Sequence, residues 1–445
     1  MKVIVVGAGT AGLAAVHTLK KNGVDVLCLE AGTTAGGRVQ SKRIDGFTYD
    51  LGAQFFFRYY DTYFTLCREL GMGDELVRFP FRAALPNRKT NRLTPILASV
   101  RPRDLPRVIM DLAGFRGVPL KAVAQLLPLA PTLMTRNRSL RFTDYESSLD
   151  MDHESFADFT LRKGGREVLE HVIQPIASCM TLGEPEDIAA GYGLGLFWYM
   201  INGLWTLRRG IGSLSERMQE KYGDSIQLNT PVKKIVIEKG KVKGVEVKNG
   251  FIKADRVICT TTVTTLRKIA PDLPESITGP LKNVRYSECC HAMFALGKRI
   301  FPEGWYAAAI PRNTGSPMAG FADNSIKSRF YAPAGAGMIH CFTFGRHAHE
   351  LNGMSDDKVT GILFNDMKRF VPSMSRGYLH REIVRYKEAV CLSPPGMLTE
   401  VNTLKKQGIG DVRGLQLAGE YLYMPSVNGA AQSGIDAGER VLRLI

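Results

Sequence analysis

Four consecutive pieces at the N-terminus constrain the fold more than anything else in the chain. Residues 2–6 (KVIVV) read as a short β-branched strand. Gly7-Ala8-Gly9-Thr10-Ala11-Gly12 follows directly, and residues 11–21 place apolar side chains at helical spacing. Residues 24–30 (VDVLCLE) read as a second strand that ends in an acid. The first glycine permits a tight turn, the second lets backbone approach a pyrophosphate, and the third lets helix and strand pack closely. The helix start then offers unpaired N–H groups and partial positive charge to phosphates. Glu30 stands eighteen residues after Gly12, where a carboxylate accepts hydrogen bonds from a ribose. A lone GxGxxG is weak, but strand, glycines, helix, strand and acid in register predict a dinucleotide cradle of Gly7, Ala8, Gly9, Thr10, Ala11, Gly12, Glu30 and Ala31. The same glycines oppose reading the apolar N-terminus as a signal peptide.

Ala35-Gly36-Gly37-Arg38-Val39 comes next. It would bring backbone and a planar, permanently charged guanidinium back over the phosphates. The GxGxxG, acid and GGR series resembles that of the two-dinucleotide-binding-motif flavoproteins, and the resemblance implies FAD. No second GxGxxG is present, so a separate NADPH domain is not expected. Residues 1–57 are similar to the amine oxidase, protoporphyrinogen oxidase and carotenoid desaturase superfamily. YDLGAQFFF (49–57) resembles the family's segment beside the flavin ring, which implicates Gly52, Ala53 and Gln54. Residues 155–182 resemble the substrate-domain helix of protoporphyrinogen oxidases, and 208–217 the family's glycine-rich segment. Asn229-Thr230-Pro231-Val232 resembles the turn where a valine backbone meets adenine; Thr260 is expected near the cofactor too. LAGEYLYMPSVNGAAQSGIDAG (417–438) resembles the last FAD motif. By that resemblance Gly419 and Glu420 lie near the ribityl or pyrophosphate, and Asn428, Gly429 and Ala430 start a helix whose N–H groups face the flavin. The implied architecture is α/β: a Rossmann-like FAD-binding domain with a discontinuous α+β substrate-binding domain. Residues 1–80, 205–284 and 395–445 form the former. Residues 81–204 are the helical part of the latter, and 285–394 its sheet part.

Composition supports a globular chain of more than one domain. Of 445 residues, 44% are hydrophobic and 23% charged, which excludes a disordered, collagen-like or disulfide-stapled protein. The net charge is +15. Its densest source is residues 92–141, with nine basic residues (Arg92, Arg101, Arg103, Arg107, Arg116, Lys121, Arg136, Arg138, Arg141) against Asp104 and Asp111. Prolines there predict short broken helices. Three readings stay open for this segment: a solvated surface, contact with anionic lipid, or a hold on substrate carboxylates. No nucleic-acid-binding module is evident. The eight cysteines lack zinc spacing and read as free thiols of a cytoplasmic protein. Residues 188–207 carry no charge but four glycines, and predict a wall of an apolar pocket rather than a membrane span. Residues 225–261 alternate as strands, 153–182 read as helices broken or kinked at Pro175, and 355–370 as a helix capped by Ser355. The eight histidines are scattered and read as solvated or core groups, with His347 and His349 on one strand face and no metal site.

Two departures bear on the reaction. By resemblance, amine oxidases carry a lysine near the flavin, and that position falls here near Cys289-Cys290, with Lys298 in the later turn. They also cage their amine between two aromatic rings, and Ser426 stands where the C-terminal ring should be. The resemblance therefore implies an FAD-dependent oxidase or dehydrogenase of an apolar substrate, polycyclic or polyene, with oxygen or quinone as acceptor. The alternatives are a flavin amine oxidase, a redox-neutral isomerase using reduced FAD, and a non-catalytic prenyl carrier of the GDP-dissociation-inhibitor type. Conjugated products need few acid–base groups, so no catalytic residue is assigned. Phe56, Phe57, Trp198, Tyr199 and Trp205 are the candidate substrate wall.

Overall fold

A computed structural model describes residues 1–79, 82–87, 89–97, 106, 111, 118–136, 139–301, 305–407 and 412–444. Five of the nine basic residues of the 92–141 segment, Arg101, Arg103, Arg107, Arg116 and Arg138, lie outside the described residues.

The N-terminal unit forms as its pattern predicts. β1 (Val3–Val6), α1 (Thr10–Lys21) and β2 (Val26–Leu29) make a parallel β-α-β unit. All four residues of β1 are buried, as expected of a parallel strand covered on both faces. The sheet has five strands, in the order Ile226–Gln227, β2, β1, Arg256–Cys259 and Leu415–Leu417. Its members come from three distant stretches of sequence. The C-terminal helix Val427–Leu442 returns across α1, and a Cβ on Gly434 would lie 2.0 Å from the Ala11 carbonyl oxygen. Only glycine allows the two backbones that distance.

A second sheet of seven strands runs His380–Tyr386, Cys289–Leu296, Gly337–Thr343, Met318–Asp323, Ala307–Ala309, Arg82–Pro86 and Leu93–Leu97. Its pairs are antiparallel except Ala307–Ala309 with Arg82–Pro86. Cys289–Leu296 is buried on both faces, with Cys290, Ala292 and Phe294 packed into one apolar cluster and Met293 and Ala295 into another. A small three-stranded sheet of Phe56–Phe57, Leu204–Leu207 and Leu76–Phe79 lies between the motif at 49–57 and the apolar 188–207 stretch.

That stretch is a helix, Ala190–Met200, followed by the strand Leu204–Leu207. Among the described residues no helix is long and apolar enough to cross a membrane. The glycines have a packing reason: a Cβ on Gly193 would sit 2.3 Å from the Phe156 ring, and one on Gly195 3.0 Å from that of Phe142. Pro175 does not end its helix. A π-helical turn at Leu169–Ile173 precedes it, and the chain stays helical through Thr181. The wider turn accommodates the donor that proline lacks. The helix Asp356–Lys368 starts at Ser355, but that side chain makes no capping bond. His347 and His349 lie on the helix Gly345–Asn352, not on a strand, with His349 paired to Glu288 at 3.0 Å. All eight cysteines are free.

Gly434→Ala should lower the unfolding free energy by about 1–3 kcal/mol through overpacking of the helix pair. Urea denaturation checks it, and an unchanged midpoint would contradict so close an approach.

Candidate functional site

Both sheets border one cavity of about 1470 Å³. That exceeds the range of roughly 300–1,000 Å³ usual for a single small-ligand pocket. One half is built from backbone. Gly7, at φ +97°, turns the chain from β1 into α1, and Gly36, at φ +113°, turns it back. Gly36 N–H donates to the Ala8 carbonyl at 2.8 Å, so the GGR segment lies across the start of the helix. Helix α1 starts after Gly9 with no side-chain cap and no acid in its first turn. Its electropositive end lies where Gly9, Thr10 and Ala11 line the cavity. The Glu30 carboxylate accepts from Ala8 N–H at 2.6 Å and Gly32 N–H at 2.8 Å, which holds it at the cavity wall.

Arg38 spans the same half. Its Nη2 pairs with Glu420 Oε1 at 2.6 Å, and its Nη1 donates to the Ala389 carbonyl at 3.2 Å. The guanidinium lies over the Tyr286 ring at 5.6 Å. Burial works against its charge, and Glu420 more than restores it, so the Arg38 pKa is raised. Gly52 is pressed onto this residue, because a Cβ there would lie 2.2 Å from the Arg38 carbonyl oxygen. Ala53 N–H donates to that oxygen at 2.9 Å.

The other half is apolar. Val172, Ile176 and Met180 meet Leu196, Phe197, Met200 and Ile201 from the helix Ala190–Met200. Ala307–Ala309, Phe321 and Ala322 face them from the seven-stranded sheet, with Phe55, Phe57, Tyr60, Tyr192 and Tyr306 around them. None of these side chains is charged. Burial pushes Tyr60, Tyr192 and Tyr306 upward, so they remain neutral.

Most of the sequence-predicted positions meet at this cavity: Gly7, Gly9, Thr10, Ala11, Glu30, Ala31, Gly36, Gly37, Arg38, Gly52, Ala53, Gln54, Val232, Thr260, Glu420, Ala430 and Phe57 line it. Others stand behind it. Ala8 is buried, and Gly12 lets α1 pass β1, since a Cβ there would be 1.9 Å from the Gly7 oxygen. Gly419 N–H donates to Ser433 Oγ at 2.8 Å. Asn428 Oδ1 accepts from Tyr63 N–H at 2.9 Å, and Gly429 N–H is taken by Ser426 Oγ at 2.9 Å. Four of the five candidate wall residues are likewise not in the lining. Phe56 packs on Tyr63 and Phe64, and Trp205 on Phe64. Tyr199 packs against Phe142, and Trp198 accepts from Asn202 through its carbonyl oxygen at 2.6 Å. Strand alternation explains the neighbours: Phe57 faces the cavity, so Phe56 faces away.

Several lining residues escaped the sequence reading. Cys179, from the 155–182 segment, and Tyr306, Phe321 and His291 line the cavity without having been singled out one by one. Ser426 lines the cavity and caps the C-terminal helix, so no ring stands at that position. Cys289 and Cys290 are buried, and Lys298 is exposed.

The residues suit a phosphate-bearing dinucleotide: an uncapped helix start, backbone stripped of side chains, a cation and a carboxylate. A model of the flavin containing amine oxidoreductase family matches residues 10–442. The chain is 28% identical over 224 residues to the mitochondrial protoporphyrinogen oxidase of Nicotiana tabacum, covering 50% of this chain and 41% of that protein. It is 25% identical over 329 residues to the zeta-carotene-forming phytoene desaturase of Myxococcus xanthus, covering 68% and 61%. The matches therefore span less than two thirds of either relative. In fold it is similar to a protein of Exiguobacterium sp. 255-15 provisionally named a protoporphyrinogen oxidase, with a TM-score of 0.79, 18% identity and coverage of 100% and 99%. The chain belongs to the flavin containing amine oxidoreductase family and is an FAD-dependent oxidoreductase.

Proposed function

We propose that this protein dehydrogenates an uncharged apolar substrate, polyene or polycyclic, held in the apolar half of the cavity beside FAD. The observation that carries the reading is that one cavity joins a polar backbone cradle to a wall of uncharged side chains, among them Val172, Ile176, Met180, Leu196, Phe197 and Met200, while its charged lining residues beyond the cradle are Lys268, Arg285, Arg385, Lys387 and Glu388. A carboxylate or ammonium against that wall would be desolvated without a partner, which costs several kcal/mol. An isoprenoid chain or a flat ring system gains instead about 25 cal/mol per Å² of apolar surface buried. A polyene fits these walls better than an amine, for which Ser426 supplies no ring. The relative named for phytoene desaturation supports the polyene reading.

In this reading Gly7 to Gly12, Gly36, Gly37 and Arg38 hold the pyrophosphate of FAD, Glu30 the ribose, and Val232 the adenine. Gly52, Ala53, Gln54 and Ala430 would border the ring. Bound FAD supplies a two-electron acceptor. The protein orients the substrate C–H bond and excludes water.

A peripheral membrane contact is part of the proposal. Leu120, Leu127 and Met134 are 76%, 72% and 71% exposed, beside Lys121 and Arg136. Greasy side chains next to cations suit an anionic bilayer surface, from which an apolar substrate would be drawn. Sedimentation with anionic vesicles should pull the protein down, and Leu120→Ser with Leu127→Ser should release it. Equal sedimentation of wild type and variant would count against this contact.

Two further outcomes follow. Arg38→Ala leaves Glu420 facing an anionic cofactor, so FAD should bind at least about tenfold more weakly, a change of roughly 1.4 kcal/mol. Flavin absorbance per purified chain reads it, and full occupancy would refute the role. Anaerobic mixing with prenyl polyenes, sterols, porphyrinogens and amines should bleach the flavin with the uncharged apolar members first. Reoxidation with oxygen and with quinone identifies the acceptor. Bleaching by amines alone would overturn the substrate class.

A further inference from the structure

A buried hydrogen-bonded chain leads away from the cavity at His291. The Gln54 amide is oriented by its nitrogen, which donates to the Asp50 carbonyl at 2.9 Å and the Gly52 carbonyl at 2.8 Å. Its oxygen accepts from Asn324 Nδ2 at 3.0 Å and Lys327 Nζ at 3.2 Å, and lies 2.9 Å from His340 Nδ1. An amide oxygen only accepts, so the 2.9 Å contact puts the His340 hydrogen on Nδ1, ahead of the longer 3.5 Å approach of Asn324 Nδ2 to the same nitrogen. His340 Nε2 is then a bare lone pair, 3.0 Å from His291 Nδ1. His291 must donate there, and its own Nε2 is left without a hydrogen. His291 lines the cavity, and no described residue hydrogen-bonds that nitrogen.

The surroundings keep both rings neutral. Burial lowers the His291 pKa to about 3. Burial lowers His340 well below its ordinary value, with further lowering by His291 and Lys327. The other titratable group packed on His291 is Tyr386, from the neighbouring strand, which burial holds in its neutral form. The Phe342 ring packs with its centroid 5.1 Å from that of His291.

We propose that His291 is the base of this cavity, its Nε2 taking the proton that the substrate loses. This assignment rests on the dehydrogenation reading above. Dehydrogenation removes two hydrogens. One leaves with an electron pair, for which bound FAD is the acceptor. The other leaves as a proton: its bond to carbon breaks, an N–H bond forms at His291, and the bonding pair stays behind as the new double bond. A substrate that has surrendered an electron pair is a strong acid, so a weak base suffices. A low pKa has an advantage here, because the base stays unprotonated from pH 8 down to pH 5. His340, Gln54 and Lys327 are positioning residues that set the tautomer.

The test uses FAD-loaded protein labelled with 15N-histidine. Long-range 1H–15N spectra of the wild type, with the His291 signals identified by their loss in His291→Gln, should show a neutral Nδ1–H tautomer from pH 8 to pH 5. An Nε2–H tautomer, or an imidazolium near pH 6.5, overturns the assignment without any substrate. Anaerobic stopped flow then compares flavin bleaching. His291→Gln should retain FAD and slow bleaching about 10²-fold or more, the size of a lost general base. A variant that bleaches as fast as a bleaching wild type removes the base alone. A wild type that no substrate bleaches removes the reaction and the base with it.

Discussion

The buried carboxylate of Asp50 is the interaction on which the site depends. Asp50 and Lys327 are both fully buried and lie 2.9 Å apart. Tyr331 Oη–H, Ser41 Oγ–H and Ile211 N–H donate to the same carboxylate at 2.8, 2.7 and 3.0 Å. A charge with no water around it is tolerable only when its oxygens are filled in this way. Removing one partner would leave the other charge alone, at a cost of about 3–5 kcal/mol. The five groups come from three stretches of chain, the hairpin that holds Ser41 and Asp50, the turn at Ile211 and the loop 327–331, so the knot ties the segment at 49–57 to the residues after the Met318–Asp323 strand. Two residues beyond Asp50, Gly52 is pressed onto Arg38, and Gln54 turns into the cavity. The position of the cradle relative to the second sheet thus follows from where one carboxylate can be satisfied.

The cradle obeys a different constraint, which is proximity of backbone. Gly12 on Gly7, Gly434 on Ala11 and Gly52 on Arg38 are contacts where a Cβ would fall within 2.2 Å of a carbonyl oxygen. Glycine at 12, 52 and 434 therefore has a local cause. The charge of Arg38 is balanced internally by Glu420 rather than left for the cofactor alone. That pair holds the guanidinium in place before any phosphate arrives, which lowers the ordering cost of binding.

What was legible in the sequence follows from these two constraints. Backbone cradles need glycine at set spacings, so positions 7–12 and 36–37 could be read directly, while 52 came from the resemblance of YDLGAQFFF to the family's segment. The helix after 427 and the acids at 30 and 420 travel with those motifs. Side-chain constellations built across strands leave no such trace. Lys327, His340 and His291 sit in apolar or turn-like text, and their meeting depends on the register of the second sheet, which pairs Met293 with His340. The aromatic candidates failed to gather for a related reason. Ring content does not place Phe56 or Trp205, because on a strand the pleat decides which ring faces the cavity and alternate residues point to opposite faces. The helix Ala190–Met200 offered no such contrast, since it is buried nearly all round.

The division of the cavity then has a physical consequence for its chemistry. In the cradle half the partial charges are fixed backbone dipoles and a paired guanidinium, which cost no reorganisation when an anionic ligand binds. The wall formed by Val172, Ile176, Met180, Leu196, Phe197 and Met200 carries no charge, and the tyrosines beside it stay protonated. Charge that develops on a substrate there has few partners. His291 borders this space from the second sheet, held neutral by burial and aimed by a network that ends on Lys327 and Asp50. A cavity of this kind favours a reaction in which electron pair and proton leave together or in quick succession, so that no charge has to persist in an unsolvated chamber.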